Sequence, residues 1–166
     1  LSGSERMHER PIAVLVDALN NLGFNIKFLE KKGYPPLEIY GTKNTKEFVK
    51  LNANVSSQFI SALALIGPSL KNGITIELDG EVTSKPYIEM TISMLNEIGV
   101  CSSFEKNIIK IKSTKYIKDF TYNVESDWSS ISYFFSIIAL SKNLELTFSS
   151  FNKKSFQGDI NVCNYY

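Results

Sequence analysis

The spacing of apolar residues along the chain switches repeatedly between a helical and a strand period. Ile12, Leu15, Val16, Leu19 and Leu22 fall on one helical stripe, which predicts a helix over 11–22 with Pro11 in its first turn and Gly23 closing it. Short runs near 24–29, 37–40 and 48–51 read as strands, set apart by Lys/Gly/Pro and Thr/Asn clusters. A second helix is predicted over 56–66, ended by Gly67-Pro68, and a strand over 74–78. A third helix over 86–98 closes at Gly99. Strands near 100–104, 108–111 and 120–124 follow, then a helix over 127–140 and a strand over 144–148.

The order of elements repeats. Arg10-Pro11 before a helix ending Leu22-Gly23 is echoed about 75 residues later by Lys85-Pro86 before a helix ending Ile98-Gly99. Ser56-Ser57 is echoed in the same way by Ser129-Ser130. Such self-similarity points to a supersecondary unit of two helices and about four strands, hence to an α/β fold class built in layers. The two copies start and stop mid-unit. Gln157-Gly158-Asp159 reads as the opening of a helix with little chain left to complete it. The 166 residues are therefore expected to be a segment of something longer.

Composition narrows the classes. Eighteen Lys+Arg against seventeen Asp+Glu leave a net charge of +1, so no global field exists to collect nucleic acid or anionic membrane. The longest uncharged apolar stretch, over 59–70, is interrupted by Ser61, Gly67 and Pro68 and is too short to span a bilayer. No basic segment followed by an apolar run opens the chain, and the expected compartment is the cytoplasm. Cys101, Cys163 and a lone His8 cannot make a disulfide framework or a His/Cys metal cluster. Both thiols are expected to be buried, and His8 to be exposed without a partner. Arginine occurs only at Arg6 and Arg10, which singles these out, because lysine cannot imitate the planar bidentate fork.

Candidate chemistry gathers at three helix starts. First turns normally attract Asp or Glu, since the N-terminal amides are unpaired and the dipole end is positive. Here Arg10 stands before Pro11, Ser56, Ser57 and Gln58 open the second helix, and Ser84 and Lys85 open the third. Cations and neutral donors at such ends suit a docked phosphate or carboxylate. Each also has an ordinary reading: Ser56 and Ser84 as N-caps, Arg10 as an ion pair with Glu5 or Glu9, Gln58 and Lys85 as solvated surface. Asp127 ahead of Ser129-Ser130 reads as an N-cap rather than a catalytic carboxylate.

At the same residues the sequence resembles a known family. Arg10-Pro11 with 15–19, Gly33-Tyr34-Pro35-Pro36-Leu37, Val55-Ser56-Ser57-Gln58-Phe59 and Ser84-Lys85-Pro86-Tyr87 occur in order. Val124-Glu125-Ser126-Asp127, Ser129-Ser130, Ser132-Tyr133 and Gln157-Gly158-Asp159 complete the series. This is similar to the EPSP synthases. The related UDP-N-acetylglucosamine enolpyruvyltransferases share their fold but are not expected to carry the Ser-Ser-Gln and Ser-Lys-Pro-Tyr pair.

The resemblance implies repeated βαβαββ units in a two-domain enolpyruvyltransferase fold, with substrates between the domains. Residues 1–124 would be the latter part of the first domain and 125–166 the opening of the second. Shikimate 3-phosphate would be bound by Ser56, Ser57, Gln58, Ser84 and Tyr87, and phosphoenolpyruvate by Arg10 and Gln58. The reaction would need neither metal nor organic cofactor, and the full-length enzyme would be a monomer. The family's acid/base residues have no counterpart here, so these residues alone are expected not to turn over. Two other readings stay open: another enolpyruvyltransferase, and a non-catalytic anion-binding or structural α/β module whose serines only cap helices.

Overall fold

In the first of two structural units, Leu1–Lys118, the chain makes one helical turn, α1 (Glu5–His8), and then a longer helix, α2 (Ala13–Asn21). A hairpin follows, β1 (Asn25–Phe28) paired antiparallel with β2 (Leu37–Tyr40). Next come β3 (Phe48–Asn52), α3 (Ser57–Ile66), β4 (Ile74–Asp79), α4 (Lys85–Glu97), β5 (Ser102–Glu105) and β6 (Ile108–Ile111). The computed structural model describes every residue except Lys43, Lys118 and Tyr166. From β3 to β6 the chain completes one βαβαββ unit, and α2–β1–β2 repeats its last three elements.

The four-stranded sheet has the order β3-β4-β6-β5, with β3 and β4 parallel and the other pairs antiparallel. Alternation decides its faces. Val49, Leu51, Ile74, Ile76, Leu78, Ile109 and Ile111 are buried in one cluster with Ile60, Leu63 and Ala64 of α3 and Ile88, Ile92 and Leu95 of α4. Each fully buried Leu or Ile contributes roughly 1.5–3 kcal/mol of burial free energy. The opposite face is polar: Lys50 reaches its cross-strand partner Glu77 at 3.0 Å and Asp79 at 3.3 Å. Glu77 first and Asp79 second hold the Lys50 ammonium above its ordinary pKa.

Both helices that lead into hairpins end in the same way. Gly23 (φ +102°) and Gly99 (φ +87°) take the left-handed conformation just past α2 and α4. The Gly23 and Gly99 amides donate to Asn20 and Asn96, and the Phe24 and Val100 amides to Leu19 and Leu95, all at 2.9–3.0 Å. This is the Schellman arrangement with its apolar pair. The Asn20 side chain then clamps both backbone groups of Ile26, at 2.8 and 2.9 Å, and Asn96 clamps those of Ser102 at 2.9 and 3.1 Å. At the helix ends, the repeat expected from the sequence is thus present bond for bond.

The helix expected from residue 11 begins at Ala13. Ile12 is its N-cap, without a side-chain cap, and Pro11 stands outside because Ile12 takes a non-helical φ of −133°, its amide donating to the Gly33 carbonyl at 2.8 Å. That bond folds the β1–β2 loop back onto the start of α2.

The second unit, Asp119–Tyr166, holds α5 (Trp128–Leu140) and a 3-10 segment, Gly158–Asn164. Trp128 and Ile131 are buried, and Trp128 meets Phe151 edge-on at 5.0 Å between ring centroids. The strands expected over 120–124 and 144–148 are not formed. Neither segment belongs to a sheet among the described residues, and alternation of side chains makes a strand only where a neighbour takes its amides and carbonyls. No helix among the described residues is long and apolar enough to cross a membrane.

Candidate functional site

The topology brings two of the three candidate helix starts, those of α3 and α4, to one end of the first unit. Because β3 and β4 are parallel, α3 and α4 both begin just beyond the carboxyl ends of these strands, at Asn52 and Asp79. That edge of an open α/β sheet is where ligands usually bind. The far end of α2 is held beside the start of β3, where the Lys46 amide donates to the Leu22 carbonyl at 2.7 Å. The β5–β6 turn also reaches this edge, with Asn107 donating to the Gly80 carbonyl at 2.6 Å.

None of α2, α3 and α4 carries an acidic residue in its first turn, so their positive ends are not offset from within. Ser56 caps α3, its hydroxyl accepting the Gln58 amide at a long 3.4 Å. Ser57 is half-buried, and Gln58 is exposed. Ser84 occupies the N-cap of α4, yet its side chain accepts no capping bond. Tyr87 stands on the first turn of the same helix, 46% exposed. Lys85 pairs with Glu89 at 3.3 Å and is an ordinary surface charge. Arg10 is exposed and, among the described residues, makes no ion pair; the expected partners Glu5 and Glu9 do not reach it.

Two further hydroxyls were not singled out by the sequence. Ser61 and Thr91 lie one turn past Ser57 and Tyr87, and their oxygens meet at 2.8 Å where α3 packs on α4. The signal was the presence of hydroxyls on the buried side of apolar helices.

Other expectations need correcting. Cys101 and Cys163 are both exposed rather than buried: Cys101 lies in the connection between α4 and β5, and Cys163 in a 3-10 segment that buries no residue. His8 is half-buried, with Nε2 3.0 Å from the Ser2 hydroxyl, rather than exposed and unpartnered.

In the second unit the polar motif residues serve the start of α5. Asp127 accepts the Ser129 and Ser130 amides at 3.1 and 3.2 Å and the Ser130 hydroxyl at 2.6 Å. The Ser130 hydroxyl first, then the two amides, hold its carboxyl below the ordinary value. It is an N-cap, as the sequence suggested. Gln157 accepts the Trp128 amide at 2.9 Å and donates to the Ser126 carbonyl at 3.0 Å, while Ser129 donates to Asp159 at 2.6 Å. No group of His, Cys, Asp and Glu among the described residues is arranged to hold a metal.

Fold and site together define a βαβαββ-repeat protein with a donor-rich edge at the carboxyl ends of its parallel strands. Residues 1–165 match the family described as EPSP synthase (3-phosphoshikimate 1-carboxyvinyltransferase), and the chain belongs to that family. The 3-phosphoshikimate 1-carboxyvinyltransferase of Bacteroides fragilis (strain ATCC 25285) is 42% identical over 161 residues, covering 96% of this chain and 39% of the relative. That of Colwellia psychrerythraea (strain 34H) is 41% identical over 162 residues, covering 96% and 38%. The chain thus spans about two-fifths of the length of these curated relatives. The solved EPSP synthase of Acinetobacter baumannii superposes with a TM-score of 0.63 at 22% identity, over 80% of this chain and 29% of that one. That likeness shows a shared fold.

Proposed function

We propose that these residues form the central part of a cytoplasmic, monomeric 3-phosphoshikimate 1-carboxyvinyltransferase. Residues 1–124 would belong to its first domain and 125–166 to the opening of its second. The observation that carries this reading is the set of three helix starts without acidic residues, bearing Arg10, Ser56, Ser57, Gln58 and Ser84. Shikimate 3-phosphate and phosphoenolpyruvate are both multiply charged anions, and helix N-termini with hydroxyl and guanidinium donors suit them.

Ser56, Ser57 and Ser84 donate to shikimate 3-phosphate, Tyr87 contacts it, and Gln58 reaches both substrates. Arg10 grips phosphoenolpyruvate through its fork. The 5-hydroxyl of shikimate 3-phosphate attacks C2 of phosphoenolpyruvate while C3 gains a proton. The tetrahedral adduct then loses a proton from C3 as inorganic phosphate leaves, which restores the double bond of the enolpyruvyl ether. The residues described here bind and orient; none is assigned the proton transfers.

The test is phosphate release by the complete polypeptide that carries these residues, supplied with both substrates. Release is expected with shikimate 3-phosphate and not with a UDP-sugar in its place. Release with the UDP-sugar alone would favour the related enolpyruvyltransferases, and binding without turnover would favour an anion-binding module.

A further inference from the structure

We infer that Ser61 and Thr91 are positioning residues, which fix the start of α3 against the start of α4 and so set the spacing of the shikimate 3-phosphate donors. This rests on the functional reading above. Thr91 is the one buried polar side chain among the described residues, 8% exposed. Its Oγ1 donates to the Tyr87 carbonyl at 3.1 Å and lies 2.8 Å from Ser61 Oγ. A carbonyl can only accept, and threonine has a single hydroxyl proton. Thr91 therefore spends that proton on Tyr87, and Ser61 donates to Thr91. The result is a directed chain from Ser61 through Thr91 to the backbone of Tyr87.

Geometry gives this chain its leverage. Ser57 and Ser61 are four residues apart on α3, as are Tyr87 and Thr91 on α4, so each pair shares a helix face. The face that carries the hydroxyl contact is thus the face that presents Ser57 and Tyr87 about one turn nearer the donor-rich edge. Ile60, Leu63 and Ala64 of α3 and Ile88, Ile92 and Leu95 of α4 are buried in the same apolar cluster. Apolar burial is non-directional as a driving force, and these side chains fit one another by shape alone. A hydroxyl–hydroxyl bond is lost when one helix slides by about an ångström, because its strength falls steeply with distance and angle. The pair therefore adds a directional bond to packing that shape alone would otherwise hold. Misplacing binding groups by about that much is enough to weaken recognition markedly.

The experiment is calorimetric titration of shikimate 3-phosphate into the complete polypeptide, with thermal melting read on the same samples. Thr91→Val keeps the shape and removes the hydroxyl, and binding is expected to weaken about fivefold. Thr91→Ser restores the hydroxyl and is expected to stay within about twofold of wild type. A folded Thr91→Val protein that binds as tightly as wild type overturns the inference. So does Thr91→Ser binding as weakly as Thr91→Val, because the methyl group would then be what matters. Should Thr91→Val fail to fold, Ser61→Ala carries the test: severalfold weaker binding supports the chain of hydroxyls, and unchanged binding overturns it. If wild type itself does not bind, the functional reading fails and the inference falls with it, an outcome distinct from a failure confined to the variants.

Discussion

The two copies of the helix-hairpin element, α2–β1–β2 and α4–β5–β6, are alike at one end and unlike at the other. Where the helices stop, they share the same two glycine-closed turns and the same asparagine clamp on the following strand. Where the helices start, the shared basic-Pro pair sits in different surroundings. α2 opens on an uncapped Ile12 whose amide is taken by the Gly33 carbonyl, with Arg10 just ahead. α4 opens on Ser84, whose hydroxyl caps nothing, with Pro86 in its first turn. The hairpins differ at that end too: Lys106 and Asn107 (φ 48° and 64°) make a tight two-residue turn in the second copy, whereas a longer loop in the first folds back on the helix. The shared end solves a folding problem, that of turning a helix into an antiparallel hairpin. The divergent end is where two different anions are proposed to bind.

The largest break in this pairing is expected at Arg10. Arg10→Lys keeps the charge but loses the fork, so affinity for phosphoenolpyruvate should fall about a hundredfold. Melting should not change, because Arg10 makes no ion pair among the described residues. A loss of only a few-fold in a binding titration would reduce Arg10 to a simple point charge.

The matched end makes a second contrast. Gly99→Ala strains a positive φ but meets open space, whereas a Cβ at Gly23 also lies 3.1 Å from the Asn44 carbonyl. Urea unfolding should show a loss of about 1 kcal/mol for Gly99→Ala, and about 2 kcal/mol for Gly23→Ala where crowding adds to strain. Equal losses would mean that backbone strain alone sets the cost.

The smallest effect is predicted at the start of α5, whose Ser129-Ser130 echoes Ser56-Ser57 of α3 but has an acidic cap in Asp127 ahead of it. Its carboxyl is held below the ordinary value of 3.8. The cap's contribution is therefore fully present above that pH and is lost as pH falls through the lower folded value. Trp128, the single tryptophan, sits at the first position of α5 and reports the change. Its fluorescence should hold steady above about pH 4 and shift below it. In Asp127→Asn the acid-dependent step should disappear; a step that persists would assign the titration elsewhere.

What the sequence revealed follows from how local each feature is. The ends of α2 and α4 were legible because Leu19, Leu22, Gly23 and their counterparts Leu95, Ile98 and Gly99 act within a few residues of one another. The true start of α2 was not, because it depends on a bond from Ile12 to Gly33 across the intervening hairpin. The runs over 120–124 and 144–148 alternate as strands do, but alternation cannot supply a hydrogen-bonding neighbour. At the site, Ser56, Ser57, Gln58 and Ser84 could be named from their place at helix starts. That their helices begin at one edge required the parallel pairing of β3 with β4. The Ser61–Thr91 contact required knowing which face of α3 meets α4.

The central claim, that the start of α4 is shaped for a ligand rather than for capping, is tested most directly at Ser84. Shikimate 3-phosphate would be titrated by calorimetry into wild type and Ser84→Ala, with melting measured on both. The Ser84 hydroxyl makes no capping bond, so melting should be unchanged while affinity falls about tenfold. Unchanged affinity together with a loss of stability of about 1 kcal/mol would show an ordinary cap and contradict the account.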